Sequence, residues 1–266
     1  MKKVLILNLI FVFLVLGACK KDKGTINIFT VQDDIELGRE ITDEILSNPQ
    51  DYPVLDENQY PEAYTHLRRM RDEILEKGGL RYKDVFDWEV YIIDEEVLNA
   101  FALPGGNTFY YTGLIKYLDN EASFMGVMAH EFAHCDRRHT TARLTKVYGL
   151  QVLLSILLGE DPSVVAEIAA SLALGLTTLQ FSRTDEYEAD EYAVKYIYPT
   201  KHDSRGVAYF FEKMNLEKNA EWMRYFSTHP PPEDRIEKIH EHWTNLGQKE
   251  GELFDERYNE FINSLP

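Results

Sequence analysis

Asp119-Asn120-Glu121-Ala122-Ser123-Phe124-Met125-Gly126-Val127-Met128-Ala129-His130-Glu131-Phe132-Ala133-His134 is the stretch on which the reading of this chain turns. Acids at its start suit the positive end of a helix, and the apolar residues that follow recur at helical spacing. On that helix His130 and His134 lie one turn and about 40° apart, so both imidazoles point to one side. The geometry suits two zinc ligands. Glu131 stands beside them, able to take the proton of an attacking water.

A catalytic zinc needs a third protein ligand and an open fourth position. The metzincin arrangement fails here, because Thr140 stands where its third His belongs and Asp136 where it needs Gly. His139 falls about half a turn from His130 and is expected to face away, in a structural role. Farther on, Ser182-Arg183-Thr184-Asp185-Glu186-Tyr187-Glu188-Ala189-Asp190 places Glu186 and Asp190 four apart on one helical face. One carboxylate there could bind the metal while the other accepts from a ligand imidazole. A solvated acidic face has the same spacing, and spacing alone leaves the two open. Glu188, about 200° from Glu186, should face elsewhere. Cys135 points about 100° away from His134 and reads as a small buried hydrophobe.

Outward from this core the chain is mostly helical. Ile35, Leu37, Ile41 and Ile45, then Leu67, Met70 and Ile74, mark helices on either side of a turn-rich break at 48–53, and Gly78-Gly79 ends the second. Phe86 to Ile93 alternates and predicts a strand; Thr108 to Thr112 predicts another, after the loop 103–107. The apolar stretch 146–182 breaks at 159–162. Its second part carries Glu167 and polar Thr177, Thr178 and Gln180, so it reads as a buried core helix rather than a span. Helices at 185–198 and 205–218 follow, then Pro230-Pro231-Pro232 and a last helix from Glu233. The class is α+β, mostly helical with a small sheet.

The chain has 266 residues, 44% hydrophobic and 27% charged, too apolar for disorder and long enough for a large core. Lys and Arg number 28 against 45 Asp and Glu, a formal charge of −17. That balance argues against nucleic acid as a partner and against binding an anionic membrane by charge. Two cysteines, Cys19 and Cys135, exclude a disulfide framework and a thiolate zinc cluster. Met1-Lys2-Lys3, a run of apolar residues and Leu16-Gly17-Ala18-Cys19 have the order of a signal peptide. The last four residues resemble a bacterial lipobox, which implies a lipidated Cys19 as mature N-terminus. Removing residues 1–18 leaves 26 basic side chains against 45 acids, or −19. With Lys20 after the Cys, the lipobox resemblance favours the outer membrane; it does not settle the face, and the periplasmic one is expected over the cell surface.

Asn99-Ala100-Phe101-Ala102-Leu103-Pro104-Gly105-Gly106, Thr112-Gly113-Leu114, Met128 to His134 with Arg138-His139, Ser182-Arg183 through Asp190, and Thr228-His229-Pro230 with Arg235-Ile236 occur in that order. Together they resemble the HtpX-like, Oma-like and CAAX-prenyl-protease enzymes of metallopeptidase family 48, over roughly residues 85–240. Cys135 and Asp136 depart mildly from the pattern, and the transmembrane helices of multi-spanning relatives are missing. The resemblance implies a gluzincin fold with His130, His134 and Glu186 binding one Zn²⁺, Glu131 as general base and Asp190 behind the ligands. It places His229 and Arg235 near the cleft, as candidates to stabilise an oxyanion. His229 is also a candidate to fill the fourth zinc position at rest. It equates Thr108–Thr112 with an edge strand that pairs with an extended substrate. The expected organisation is a signal peptide (1–18), a tether (19–31), a helical segment (32–84), the metallopeptidase domain (85–250) and a tail (251–266). The expected function is zinc endopeptidase of the bacterial envelope, acting on unfolded or misassembled envelope proteins. The alternative is a quiescent fold serving as chaperone or scaffold in outer-membrane protein assembly.

Overall fold

The computed structural model describes residues 27–147, 180–217, 225–230 and 234–266. Helices α1 (Val31–Ser47) and α2 (Pro61–Lys77) precede the strands β1 (Val90–Ile93), β2 (Ala100–Ala102) and β3 (Thr108–Tyr111). A 3-10 turn, Pro104–Gly106, joins β2 to β3. Next come α3 (Thr112–Tyr117), α4 (Glu121–Asp136), α5 (Arg183–Ile197), α6 (Gly206–Glu217), the single turn α7 (Tyr225–Thr228), α8 (Arg235–Leu246) and α9 (Asp255–Asn263). The mostly helical α+β class holds. The expected signal peptide, Cys19, most of the tether and most of the apolar stretch 146–182 lie outside the described residues. Among the described residues no helix is long and apolar enough to cross a membrane.

Helix α4 is the centre of the molecule. Every one of its residues is buried, the apolar ones in the core and the polar ones, Glu121, Ser123, His130, Glu131, His134 and Asp136, with them. Asn120 caps it, its Oδ1 accepting the Ser123 N–H at 2.9 Å. Gly126 lets α6 approach closely: a Cβ there would lie 2.2 Å from the Val207 nitrogen, and one at Gly206 only 1.9 Å from the Ala122 oxygen. Two helix backbones thus touch at a pair of glycines, fixing α4 against α6 without intervening side chains.

The sheet has the order β1-β3-β2, with β1 parallel and β2 antiparallel to β3. It is covered on both faces. Val90, Ile92, Ala100, Ala102 and Tyr110 join the main core beneath α2 and α4. Ile93, Phe101, Phe109 and Tyr111 face a second core formed with Leu37, Ile41 and Ile45 of α1. Phe109 stacks between Tyr91 and Phe101, with centroids 4.7 and 4.9 Å away. This double burial explains why β3 is buried at all four positions.

Two expectations about the strands change. Thr108–Tyr111 is the central strand, not an edge, because it pairs on both sides. The strand expected over 86–93 spans only Val90–Ile93; Trp88 adopts φ 52 and its indole donates to the Tyr82 oxygen at 3.1 Å, which turns the chain. The edges are β1, flanked by a bridge from Val54 to Ile93, and β2, which has no second partner strand among the described residues. The Tyr111 N–H donates to the Asn99 oxygen and the Leu103 N–H to the Asn107 oxygen, so the odd-numbered residues bond to β3. Ala100 and Ala102 therefore turn their backbone N–H and C=O groups away from β3, although both residues are buried.

The C-terminal residues expected as a tail form α9. Tyr258 and Phe261 are fully buried against Phe124 of α4, and the helix expected from Glu233 begins at Arg235. At the start of α4, Glu121 is wholly buried and accepts from Arg69 Nη1 and Arg257 Nε at 2.9 Å each and lies 2.7 Å from His202 Nε2. Burial alone would raise its pKa, but these three partners hold it at about 2.

Candidate functional site

The last two turns of α4 deliver His130 and His134. Helix α5 is started by a capping box: the Asp185 N–H donates to Ser182 Oγ at 3.3 Å, and the Ser182 N–H to Asp185 Oδ2 at 3.0 Å. That start sets Glu186 and Asp190 on the face turned to α4. The turn α7 is followed directly by His229, whose N–H donates to the Tyr225 oxygen at 3.0 Å and whose ring stacks on Tyr225 at 4.9 Å. All four groups (His130, His134, Glu186, His229) are buried, with one donor atom from each within 4.8 Å of all the others.

The close spacings are 3.1 Å between the Nε2 atoms of His130 and His134, and 3.4 Å from His130 Nε2 to His229 Nδ1. Glu186 Oε1 lies 3.5 Å from His134 Nε2 and 3.1 Å from His229 Nδ1. A tetrahedral ion with bonds of about 2.0–2.1 Å separates its ligands by about 3.3 Å, so the spacings fit. The N/O donor set fits a borderline-soft ion such as zinc. His229, expected near the cleft, supplies the fourth donor.

Behind the donors, Asp190 Oδ1 lies 2.9 Å from His130 Nδ1, which aims His130 Nε2 at the cluster. Arg235 donates to Asp190 at 2.7 and 2.6 Å, and its Nη1 lies 2.9 Å from Glu186 Oε2. Its nitrogens thus face two carboxylates, and the guanidinium is turned away from an oxyanion role. Burial opposes charge on His130, yet Asp190 and Glu186 outweigh it and hold the imidazole at about 9. Burial dominates at His134, pulling it well below its ordinary value and leaving it neutral. Burial would raise Glu186, but His229 and Arg235 bring it well below the usual carboxylate range.

Glu131 differs from the other acids. Its carboxylate is fully buried, with neither oxygen hydrogen-bonded among the described residues. Burial raises its pKa, and His229 Nε2 stands 3.5 Å from Oε1. A desolvated carboxylate with no hydrogen bond among the described residues, beside clustered metal-type donors, is poised to exchange a proton.

Asp136 accepts from Tyr196 Oη at 2.6 Å and from the Tyr82 N–H at 2.9 Å, tying α4 to α5 and to the loop before β1. Cys135 is buried, its thiol donating to the Leu103 oxygen at 3.3 Å. Glu188 does face away from Glu186, toward Arg137 at 3.1 Å. His139, expected to face away, instead meets His134, Nδ1 to Nδ1 at 3.0 Å. The helix stops at Arg137, so helical arithmetic no longer applies beyond it. Phe181, which the spacing argument also missed, stacks on His134 at 3.9 Å.

The sequence pattern of peptidase family M48 matches residues 61–243. The chain belongs to peptidase family M48. The M48 match covers all four donors, Glu131, Asp190 and Arg235, and marks the chain as a metallopeptidase by family. Among relatives, it is 29% identical over 148 residues to the mitochondrial metalloendopeptidase OMA1 of Arabidopsis thaliana, covering 56% of this chain and 30% of that protein. It is 30% identical over 162 residues to the beta-barrel assembly-enhancing protease of Yersinia pestis, covering 55% of this chain and 32% of that protein. The OMA1 of Schizosaccharomyces pombe is 28% identical over 198 residues, 74% of this chain and 57% of that one. The chain thus spans less than a third of the first two relatives' length.

Proposed function

We propose that this M48 chain is a zinc-dependent endopeptidase of the bacterial cell envelope, held to the outer membrane by lipid on Cys19 and facing the periplasm. The carrying observation is the convergence of His130, His134, Glu186 and His229 beside the buried carboxylate of Glu131, which has no hydrogen bond among the described residues. Zinc, when bound, supplies Lewis acidity toward the scissile carbonyl. Glu131 takes the proton of the attacking water and passes it to the leaving amine. Asp190 holds His130 in its ligating tautomer, and Arg235 holds Asp190 and Glu186. The N–H and C=O groups of Ala100 and Ala102 that face away from β3 are buried at rest and, once uncovered, bind an extended substrate as an added strand. That mode reads main chain more than side chains, which suits unfolded or misassembled envelope proteins.

His229 closes the donor set at rest, and hydrolysis requires its imidazole to leave that position. Once displaced, it is the remaining candidate for the oxyanion donor. Glu131→Gln should keep zinc at one ion per chain and abolish cleavage of an unfolded substrate. Wild-type cleavage by that variant would rule the mechanism out.

The four-donor closure also favours a second reading, a largely quiescent fold that acts as chaperone or scaffold in outer-membrane protein assembly. A relative named for enhancing β-barrel assembly fits either. Rescue of an assembly defect by Glu131→Gln as well as by wild type would select the second.

A further inference from the structure

Helix α4 ends with Arg137 as its C-cap, and Arg138 follows at φ 59, in the left-handed region. The reversal is fastened from outside: Arg138 pairs with Asp34 of α1 and donates to the Phe29 and Thr30 oxygens at 2.6 and 2.8 Å. It swings His139 back over the last turn of α4. There the imidazole is 5% exposed and meets His134 edge-on, with Nδ1 3.0 Å from Nδ1 and the ring planes at 75°.

Two facing ring nitrogens can share only one proton. Ligation through Nε2 requires His134 to carry its proton on Nδ1, so His139 Nδ1 must be the acceptor. The proton of His139 then sits on Nε2, which looks toward Glu188 Oε2 at 3.7 Å. The other oxygen of Glu188 accepts from Arg137 Nε at 3.1 Å.

We propose that His139 is a positioning residue of the metal centre, holding His134 in the Nδ1–H tautomer with Nε2 aimed at the other donors. It serves His134 as Asp190 serves His130, but as a neutral acceptor. A fourth carboxylate beside Glu186, Asp190 and Glu131 would add negative charge to a site that already buries three. The proposal rests on the reading of His134 as a metal ligand.

The test uses the full chain with zinc and with cobalt(II) as a spectroscopic substitute. His139→Leu removes the acceptor; His139→Asn places an oxygen near the former Nδ1. The leucine variant should bind zinc about tenfold or more weakly in chelator competition, the usual cost of losing a group behind a ligand. Its cobalt absorption bands should shift, and kcat should fall with KM within about twofold of wild type. The asparagine variant should restore zinc affinity to within about threefold and keep the wild-type cobalt spectrum. Wild-type affinity and spectrum in the leucine variant would overturn the proposal, as would equal loss in both variants, since packing alone explains that. If the leucine variant does not fold, asparagine decides by itself: a tenfold loss in it overturns the proposal. A wild-type chain that binds no metal would instead remove the underlying reading of the site.

Discussion

Glu121 opens α4, with its carboxylate wholly buried against Arg69, Arg257 and His202. These partners hold it at about 2, against an ordinary 4.5. A carboxyl depressed in the folded state stabilises it fully above the unfolded pKa and loses that stabilisation as pH falls through the folded one. The gap between 4.5 and about 2 corresponds to about 3 kcal/mol, an upper figure because both arginines are about one-third exposed. By pH 3 about 2 kcal/mol of it should be gone. Many other acids titrate in the same window, so the informative quantity is a difference. Urea unfolding of wild type and Glu121→Gln, followed by circular dichroism from pH 6.5 to 3 with a chelator present, isolates the one carboxylate. The stability gap between the proteins should narrow by about 2 kcal/mol as pH falls. A gap constant to within about 0.5 kcal/mol would refute the assignment of this charge to the folded state.

Gly126→Val should cost at least about 3 kcal/mol in the same assay, because its Cβ would meet the Val207 nitrogen at 2.2 Å. Arg235→Lys, which loses the paired contacts to Asp190 and the reach to Glu186, should weaken zinc about 10–100-fold in chelator competition. Peptide substrates N-methylated at alternate residues should show KM raised about tenfold if two main-chain bonds to β2 are lost; unchanged KM would exclude strand addition. Cys19→Ser should abolish incorporation of radiolabelled palmitate and release the protein from membranes.

The central helix was legible because its signals are local. Acids at its start, an apolar run and two histidines four apart all act within one element, and α4 keeps helical geometry from Glu121 to Asp136. Glu186 and Asp190 were visible as a pair for the same reason, yet spacing could not tell a buried face from a solvated one. Only the packing of α5 on α4 decides that. The edge strand was misplaced because Thr108–Tyr111 has the stronger β composition, whereas Ala100–Ala102 is held as a strand by its pairing with β3. His139 was misread where local geometry fails. A single residue at φ 59, fastened by Asp34 from far earlier in the chain, redirects it, and no periodicity contains that information. Arg235 shows a further limit: being near a site and being free to act in it are different properties, and its carboxylate partners come from another helix.

The stretch that carries the family pattern, 61–243, is smaller than the unit that folds. Helix α1 lies before it, and its Leu37, Ile41 and Ile45 cover the outer face of the sheet. Helix α9 lies after it and puts Tyr258 and Phe261 into the main core. A chain trimmed to the pattern would leave Phe101, Phe109 and Tyr111 bare on a three-stranded sheet, an apolar patch of the kind that aggregates. It would also release Arg138 from Asp34 and free the turn that carries His139. Boundaries for expression and for crystallisation therefore belong before Asn27 and after Leu265, which keeps α1 and α9 with their contacts, rather than at the limits of the family pattern.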